Sequence, residues 1–258
     1  MRFDIRTLQQ GKKIIGTTEG EQVGLTKNSV GAITTAYIMW LAKKLDKPVF
    51  TLKICVGGDE RPSTQELKEG VMTGVQMTGS RNWDAGIATT DAISAAPIMP
   101  YFEFDGSVMV TGGNEAEDIN GLQFFTAEGP VDEDTIASML DKAFKFAFIG
   151  EWFECEPVNL MQMYAAEQRR AISEGLAGFG GNLKGLKIAV DADDSMGEYF
   201  ANEVLEKLGA EISSDENDAD LVLKIGVAME TYAATAAGKE IDSSMDIEEL
   251  IIETAKNK

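Results

Sequence analysis

No histidine occurs among the 258 residues. That removes Ser-His-Asp and Cys-His nucleophilic sites, His-ligated zinc and every imidazole proton transfer. Chemistry must come from carboxylates, amides, hydroxyls and backbone. Asp191, Asp193 and Asp194 follow an apolar run at a spacing that offers carboxylates to a divalent ion. The same spacing after a strand is also an ordinary helix start, where acids complement the dipole. Gly112-Gly113 ends another apolar run and suits a turn whose N–H groups cradle phosphate. Glu115, Glu117 and Asp118 follow at once and repel an anion. Of the two cysteines, Cys55 sits in the apolar run 52–56, where a buried free thiol is the default. No disulfide framework is implied, and a reducing compartment fits.

Charge narrows the class further. With 23 Lys+Arg against 43 Asp+Glu the formal charge is −20, and the basic residues are scattered singly or in pairs. A field of that sign repels phosphate backbones and anionic lipid, which argues against nucleic-acid and membrane-surface roles. It favours a solvated surface or a partner with a basic face. At 44% hydrophobic and 26% charged the chain can build a core. No apolar run approaches a membrane span, and residues 1–6 carry no h-region. A soluble protein is expected, cytoplasmic, or in an organelle stroma if a transit peptide has been removed.

The elements that must position these groups alternate. Thr26 opens a helix over 25–45 whose apolar face is Val30, Ile33, Tyr37, Ile38, Leu41 and Leu45. Pro48 ends it, and 49–56 reads as a buried strand. A loop, 57–63, precedes a helix to about 78. A second α/β step follows over 83–99, a strand at 107–111, and a helix from 132 to about 148. Near 150 the pattern breaks. A helix at 159–175 leads to a new βα unit with strand 186–190 and helix 197–208. A strand at 221–227 and a helix at 245–256 close the chain. Strands alternating with helices argue for parallel α/β architecture in two domains, 1–150 and 151–258. The alanines around 233–237 read as low complexity. Most of the twelve methionines, among them Met39, Met72 and Met109, fall at core positions.

Several segments, in order, carry a resemblance. Phe3-Asp4-Ile5-Arg6 resembles an F/Y-D-I-R-G opening. Gly58-Asp59-Glu60-Arg61-Pro62-Ser63 resembles G-x-D-x-R-x-S, and the segment from Asp84 to Thr90 resembles D-x-G-x-x-x-T-P. Thr111, followed by Asn120-Gly121-Leu122-Gln123, sits where a T-A-S-H-x-P loop and N-G-x-K stand. The segments from Leu183 to Asp191 and from Leu208 to Glu211 are similar to a second-domain start. Together they resemble the α-D-phosphohexomutase superfamily, the phosphoglucomutase/phosphomannomutase enzymes. The resemblance implies two three-layer α/β/α domains, the second shortened, with the family's domains 3 and 4 absent.

The departures fall on the chemistry the resemblance implies. The phosphoserine position is Gly113, and the proton-transfer lysine position is Gln123. The D-x-D-x-D-R metal loop corresponds to Gly226, Ala228 and Glu230, one carboxylate where three are needed for Mg²⁺. No metal cofactor is expected, and the triple loss argues against mutase activity. Arg6, Arg61, Thr111 and Asn120 match positions of a residual anion site; alternatively, Arg61 pairs with Asp59 or Glu60 and only holds its loop. The leading expectation is a catalytically silent homologue acting as a structural, assembly or regulatory subunit, in a complex or homo-oligomer. The alternative is residual sugar-phosphate binding or phosphotransfer.

Overall fold

A computed structural model describes residues 3–20, 23–145, 155–236, 238–241 and 245–258. The chain divides into two compact units, Met1–Val158 and Asn159–Lys258.

The first unit begins with β1 (Gln9–Gln10), β2 (Lys13–Thr17) and α1 (Lys27–Leu45), followed by β3 (Lys53–Gly58) and α2 (Thr64–Gln76). Then come β4 (Arg81–Ile87), α3 (Thr90–Ala95), β5 (Gly106–Val110), β6 (Ile119–Thr126), β7 (Gly129–Pro130), α4 (Glu133–Ala143) and β8 (Glu156–Pro157). The sheet runs β1-β2-β6-β5-β3-β4-β8, with β7 on β6. Strands β5, β3, β4 and β8 are parallel, β6 runs against them, and β2, antiparallel to β6, runs in their direction again. Ile54, Val56, Val108, Val110, Leu122 and Phe124 face the buried stripes of α1, α2 and α4 in one core.

Local chemistry explains the helices. Thr26 caps α1 reciprocally: its hydroxyl accepts from the Ser29 N–H while Ser29 Oγ accepts from the Thr26 N–H. Two glycines of α2 let it lie against α1. A Cβ at Gly70 would stand 2.6 Å from the Lys27 carbonyl oxygen, and one at Gly74 would stand 2.5 Å from that of Gly31.

The second unit holds α5 (Leu160–Gly175), β9 (Lys187–Ala192), α6 (Ser195–Phe200), β10 (Glu211–Ser213), β11 (Leu221–Ile225), β12 (Tyr232–Ala236), β13 (Lys239–Ile241) and α7 (Ile247–Lys256). Its sheet order is β10-β9-β11-β12-β13, parallel as far as β11 and antiparallel beyond. Ile188, Leu221, Leu223 and Ile225 pack with Ile172, Phe200, Val204, Leu250 and Ile251.

Several expectations are corrected. Both sheets are mixed, because β6 and β12 return through short connections that antiparallel pairing permits and parallel pairing does not. The alanine-rich stretch is strand β12; its expected last residue, 237, lies outside the described residues. The strand placed at 49–56 starts only at Lys53. After Pro48 the chain makes a single 3₁₀ turn, Val49–Thr51, closed by Thr51 N–H to the Pro48 carbonyl. The helix drawn over 197–208 is α-helical only to Phe200 and continues as a π turn, Ala201–Leu205, whose Glu203 carbonyl accepts from Arg169 at 2.5 Å. The expected boundary at 150 and helix end at 148 lie outside the described residues. The compact units meet later, at Val158, because Glu156–Pro157 adds to the edge of β4 in the first unit. Met39 is 54% exposed, whereas Met72 and Met109 are fully buried.

Candidate functional site

The carboxyl ends of β3 and β5 deliver Asp59 and Thr111 side by side. Asp59 is 4% exposed and is the hub of a polar network. Its Oδ1 accepts from the Thr64 hydroxyl at 2.5 Å and the Arg61 N–H at 3.1 Å. Its Oδ2 accepts from the Thr111 hydroxyl at 2.8 Å, the Gly112 N–H at 3.3 Å and Arg61 Nε at 3.2 Å. A carboxylate so enclosed must have its lone pairs filled and a cation beside it. Both conditions are met.

Arg61 supplies the cation and does more. Its Nη1 donates to the carbonyls of Ala116 (2.6 Å) and Ile119 (3.1 Å), and its Nη2 to those of Gly113 (2.6 Å) and Glu115 (2.7 Å). With Nε on Asp59, all five N–H groups of the guanidinium are engaged. The loop between β5 and β6 is therefore wrapped around this one side chain, 8% exposed. Gly112 is required for the wrap: a Cβ there would stand 2.5 Å from the Ile119 carbonyl oxygen and 2.8 Å from Arg61 Nε. Gly113 turns the chain at φ +58, and its N–H donates to Thr111 Oγ1 at 2.9 Å.

Asn120 completes the cluster from β6. Its amide nitrogen donates to Ser63 Oγ (2.9 Å) and Thr64 Oγ1 (3.0 Å), while its Oδ1 accepts from the Gly121 N–H. The structure thus brings together Arg61, Thr111 and Asn120, each spent on internal partners. The partners of Arg6 lie elsewhere: Asp4 takes two hydrogen bonds at 2.8 and 2.6 Å, Asp141 is 3.6 Å away, and the guanidinium lies over Phe144. The hydrogen bond from Arg6 holds the Asp4 carboxyl below its usual range. Gln123 is buried on β6 opposite Met109.

One residue was missed. Lys68, 5% exposed on α2, donates to Asp84 at 2.6 Å and to the Gly86 carbonyl at 3.2 Å. It lies across Gly58, where a Cβ would meet its Cδ at 3.1 Å. The signal was available, since Lys68 falls four residues before buried Met72 on the apolar stripe.

In the second unit, residues 226–231 form the turn between β11 and β12. Ala228 and Met229 both take positive φ, +52 and +55. The Ala228 N–H donates to Asp194 Oδ2 at 2.6 Å, and Asp194 Oδ1 caps α6 through the Met196 N–H. This turn therefore presents an amide to a carboxylate where a magnesium loop would present carboxylates to a cation. Glu230 is its single acid, so the residues present do not fit the ion. Among the described residues no group of three or more Cys, Asp or Glu side chains is placed to hold a metal. Asp191 pairs along the ladder with Lys224, and the Asp193 N–H goes to the Ile225 carbonyl.

Both cysteines are free. Burial pushes the Cys55 thiol up and acts in the same direction on half-buried Cys155, whose Sγ lies 3.2 Å from Met72 Sδ. Among the described residues no helix is long and apolar enough to cross a membrane.

Known proteins are similar to this chain in sequence and fold. The phosphoglucosamine mutase of Caldicellulosiruptor bescii is 28% identical over 179 residues, covering 65% of this chain and 37% of the relative. That of Clostridium acetobutylicum is 27% identical over 186 residues, covering 72% and 40%. The chain therefore spans well under half the length of these curated relatives. A crystal structure of a phosphoglucomutase/phosphomannomutase family protein from Burkholderia thailandensis shares the fold, with a TM-score of 0.70 at 17% identity. It covers 92% of this chain and 56% of that one. The family model for phosphoglucomutase/phosphomannomutase, alpha/beta/alpha domain I, matches residues 8–148. That is more than half of the sequence, and the chain belongs to the phosphoglucomutase/phosphomannomutase family.

Proposed function

We propose that this chain is a catalytically silent phosphohexomutase homologue that serves as a structural, assembly or regulatory subunit. The observation that carries the reading is the saturation of Arg61. Phosphoryl transfer is catalysed almost entirely by positioning and by charge that stabilises the moving phosphoryl group. Here the cation beside the phosphoserine position spends every donor on its own loop, and Gly113 offers no oxygen to carry phosphate. Two further features support it: Gln123 cannot shuttle a proton, and the 226–231 turn does not suit magnesium. Subunit function then needs shape, which the Asp59–Arg61 network maintains.

The test is direct. The purified chain, with magnesium and a bisphosphate activator, is assayed on glucosamine 1-phosphate, glucose 1-phosphate and mannose 1-phosphate. Turnover at or below the buffer blank is expected. Conversion at ordinary enzyme rates, about 1 s⁻¹ or faster, overturns the reading. Native mass spectrometry of the protein taken from its source cells then names the assembly, and a lone monomer there removes the subunit role.

The homology to phosphoglucosamine mutases favours a second reading, retained sugar-phosphate binding. It requires thermal stabilisation growing as RT ln(1 + [L]/Kd), about 2.7 kcal/mol at a hundredfold excess over Kd. An unchanged Tm at millimolar sugar phosphate removes it.

A further inference from the structure

Open space in the second unit gathers at the amino ends of its parallel strands. A cavity of about 310 Å³ is lined there by Asp220, Ala236, Ile241, Leu250, Glu253 and Thr254, together with Asn257 and Lys258. Asp220 immediately precedes β11, whereas the 226–231 turn follows it, so the cavity and that turn lie at opposite ends of the strand. The apolar lining is Ala236, Ile241 and Leu250; besides Lys258, the charged lining is two carboxylates. The last turn of α7 contributes Glu253 and Thr254, with Asn257 as its C-cap, and the carbonyl end of a helix favours a cation. Glu253 is exposed and has no ion-pair partner among the described residues. Lys187 gives Asp220 its backbone N–H at 2.7 Å, while its ammonium is held by Asp218 at 2.8 Å.

A cation already sits in this frame. Lys258, two residues beyond α7, donates from Nζ to Asp220 Oδ2 and to the Gly185 carbonyl. The side chains of Lys258 and Asp220 are 42% and 32% exposed, and an ion pair so placed contributes little to stability. Lys258 also lines a second cavity of about 280 Å³, with Leu176, Leu183 and Leu186. Its stem therefore borders open volume twice, and little packing holds it.

We propose that the second unit carries a binding site for an aliphatic ammonium, which Lys258 of the chain itself occupies in this structure. An incoming ligand displaces that side chain and sets its ammonium on Asp220 and the Gly185 carbonyl. Its methylenes run along Ala236, Ile241 and Leu250, and a diamine brings its second charge to Glu253. Two sources supply this chemistry, a free diamine and a lysine side chain of another protein. The chain's charge of −20 raises the local concentration of either. The site stands whether or not the chain is catalytically silent.

The test is a titration of the isotope-labelled full chain, read by amide NMR shifts at Gly185, Asp220 and Thr254. Cadaverine and a capped lysine (N-acetyl-lysine methylamide) are the probes, with ionic strength matched by sodium chloride. Saturation with Kd on the order of millimolar is expected for the parent chain. Lys258→Ala, which clears the Asp220 contact, tightens binding by about 3-fold or more. Asp220→Asn added to it weakens binding by about 10-fold or more, with unchanged far-ultraviolet circular dichroism. Cadaverine binding tighter than the capped lysine, by a margin that Glu253→Gln abolishes, identifies a free diamine as the source; equal affinity identifies a protein lysine. No saturation by about 50 mM in Lys258→Ala overturns the proposal. So does an affinity indifferent to Lys258→Ala or to Asp220→Asn. Shifts that sodium chloride alone reproduces also overturn it, since they would report screening of the acidic surface.

Discussion

Replacing Arg61 by alanine tests the central network. The substitution removes five donors and leaves Asp59, 4% exposed, without its cation. It also releases the carbonyls of Gly113, Glu115, Ala116 and Ile119. Breaking a buried ion pair from one side costs about 3–5 kcal/mol. Two of the freed carbonyl bonds lie at exposed positions, where water replaces the guanidinium, so they add little. The other two and the cavity keep the total near the middle of that range, about 4 kcal/mol. For a unit of this size each kcal/mol shifts Tm by about 2–4 °C, so a fall of roughly 8–16 °C is expected. Urea unfolding followed by tryptophan fluorescence and circular dichroism measures it. Arg61→Lys separates charge from geometry: one ammonium has three donors and no planar fork, so about half the loss persists. A loss under about 1 kcal/mol for Arg61→Ala, or a lysine variant equal to the parent, refutes the reasoning.

Other outcomes follow from single positions. Lys68→Ala strands Asp84 and is expected to cost about 2–4 kcal/mol, whereas Lys68→Met with Asp84→Leu recovers most of it; equal losses in both, by urea titration, would place the energy in packing instead. Gly74→Ala drives a Cβ to within 2.5 Å of the Gly31 carbonyl oxygen and should cost at least about 1–3 kcal/mol, against a gain if helix propensity alone mattered. Glu248 of α7 accepts from the buried Gln168 amide at 2.7 Å, and burial together with neighbouring Asp246 raises its pKa to about 7. The folded state thus holds this proton more tightly than the unfolded one. Its contribution is fully present below the ordinary glutamate range and is lost as pH rises through about 7. Glu248→Gln is expected to equal the parent in stability near pH 5 and to exceed it by about 2 kcal/mol near pH 8; thermal melts at the two pH values that move in parallel would contradict this.

The elements around the site were legible where their cause is local. The Thr26 cap, the apolar stripe of α1 and the Gly58–Ser63 loop are written in consecutive residues. Arg61's partners were not. Its four carbonyl acceptors lie 52 to 58 residues away along the chain, and a backbone carbonyl carries no residue identity for a motif to record. Lys68 and Met39 went astray for a related reason. Periodicity names a face but not what covers it, so an ammonium reached a buried carboxylate while a methionine stayed in water. The 226–231 turn was legible as a loop with a single carboxylate, Glu230. That it offers its Ala228 amide to Asp194 depended on β11 and β9 lying side by side.

The sequence by itself determined the class and the vacancies. No histidine, Gly113 without a hydroxyl, Gln123 without a titrating amine and a turn with one carboxylate are facts of composition and order that no folding can alter. Tertiary structure decided what the remaining polar groups do. Asp59 and Arg61 are two residues apart, but whether that pair faces a ligand or its own loop depends on where β5 and β6 bring carbonyls. Burial then settles the matter, because a charge removed from water must be fully partnered, and here the partners are the chain's own backbone.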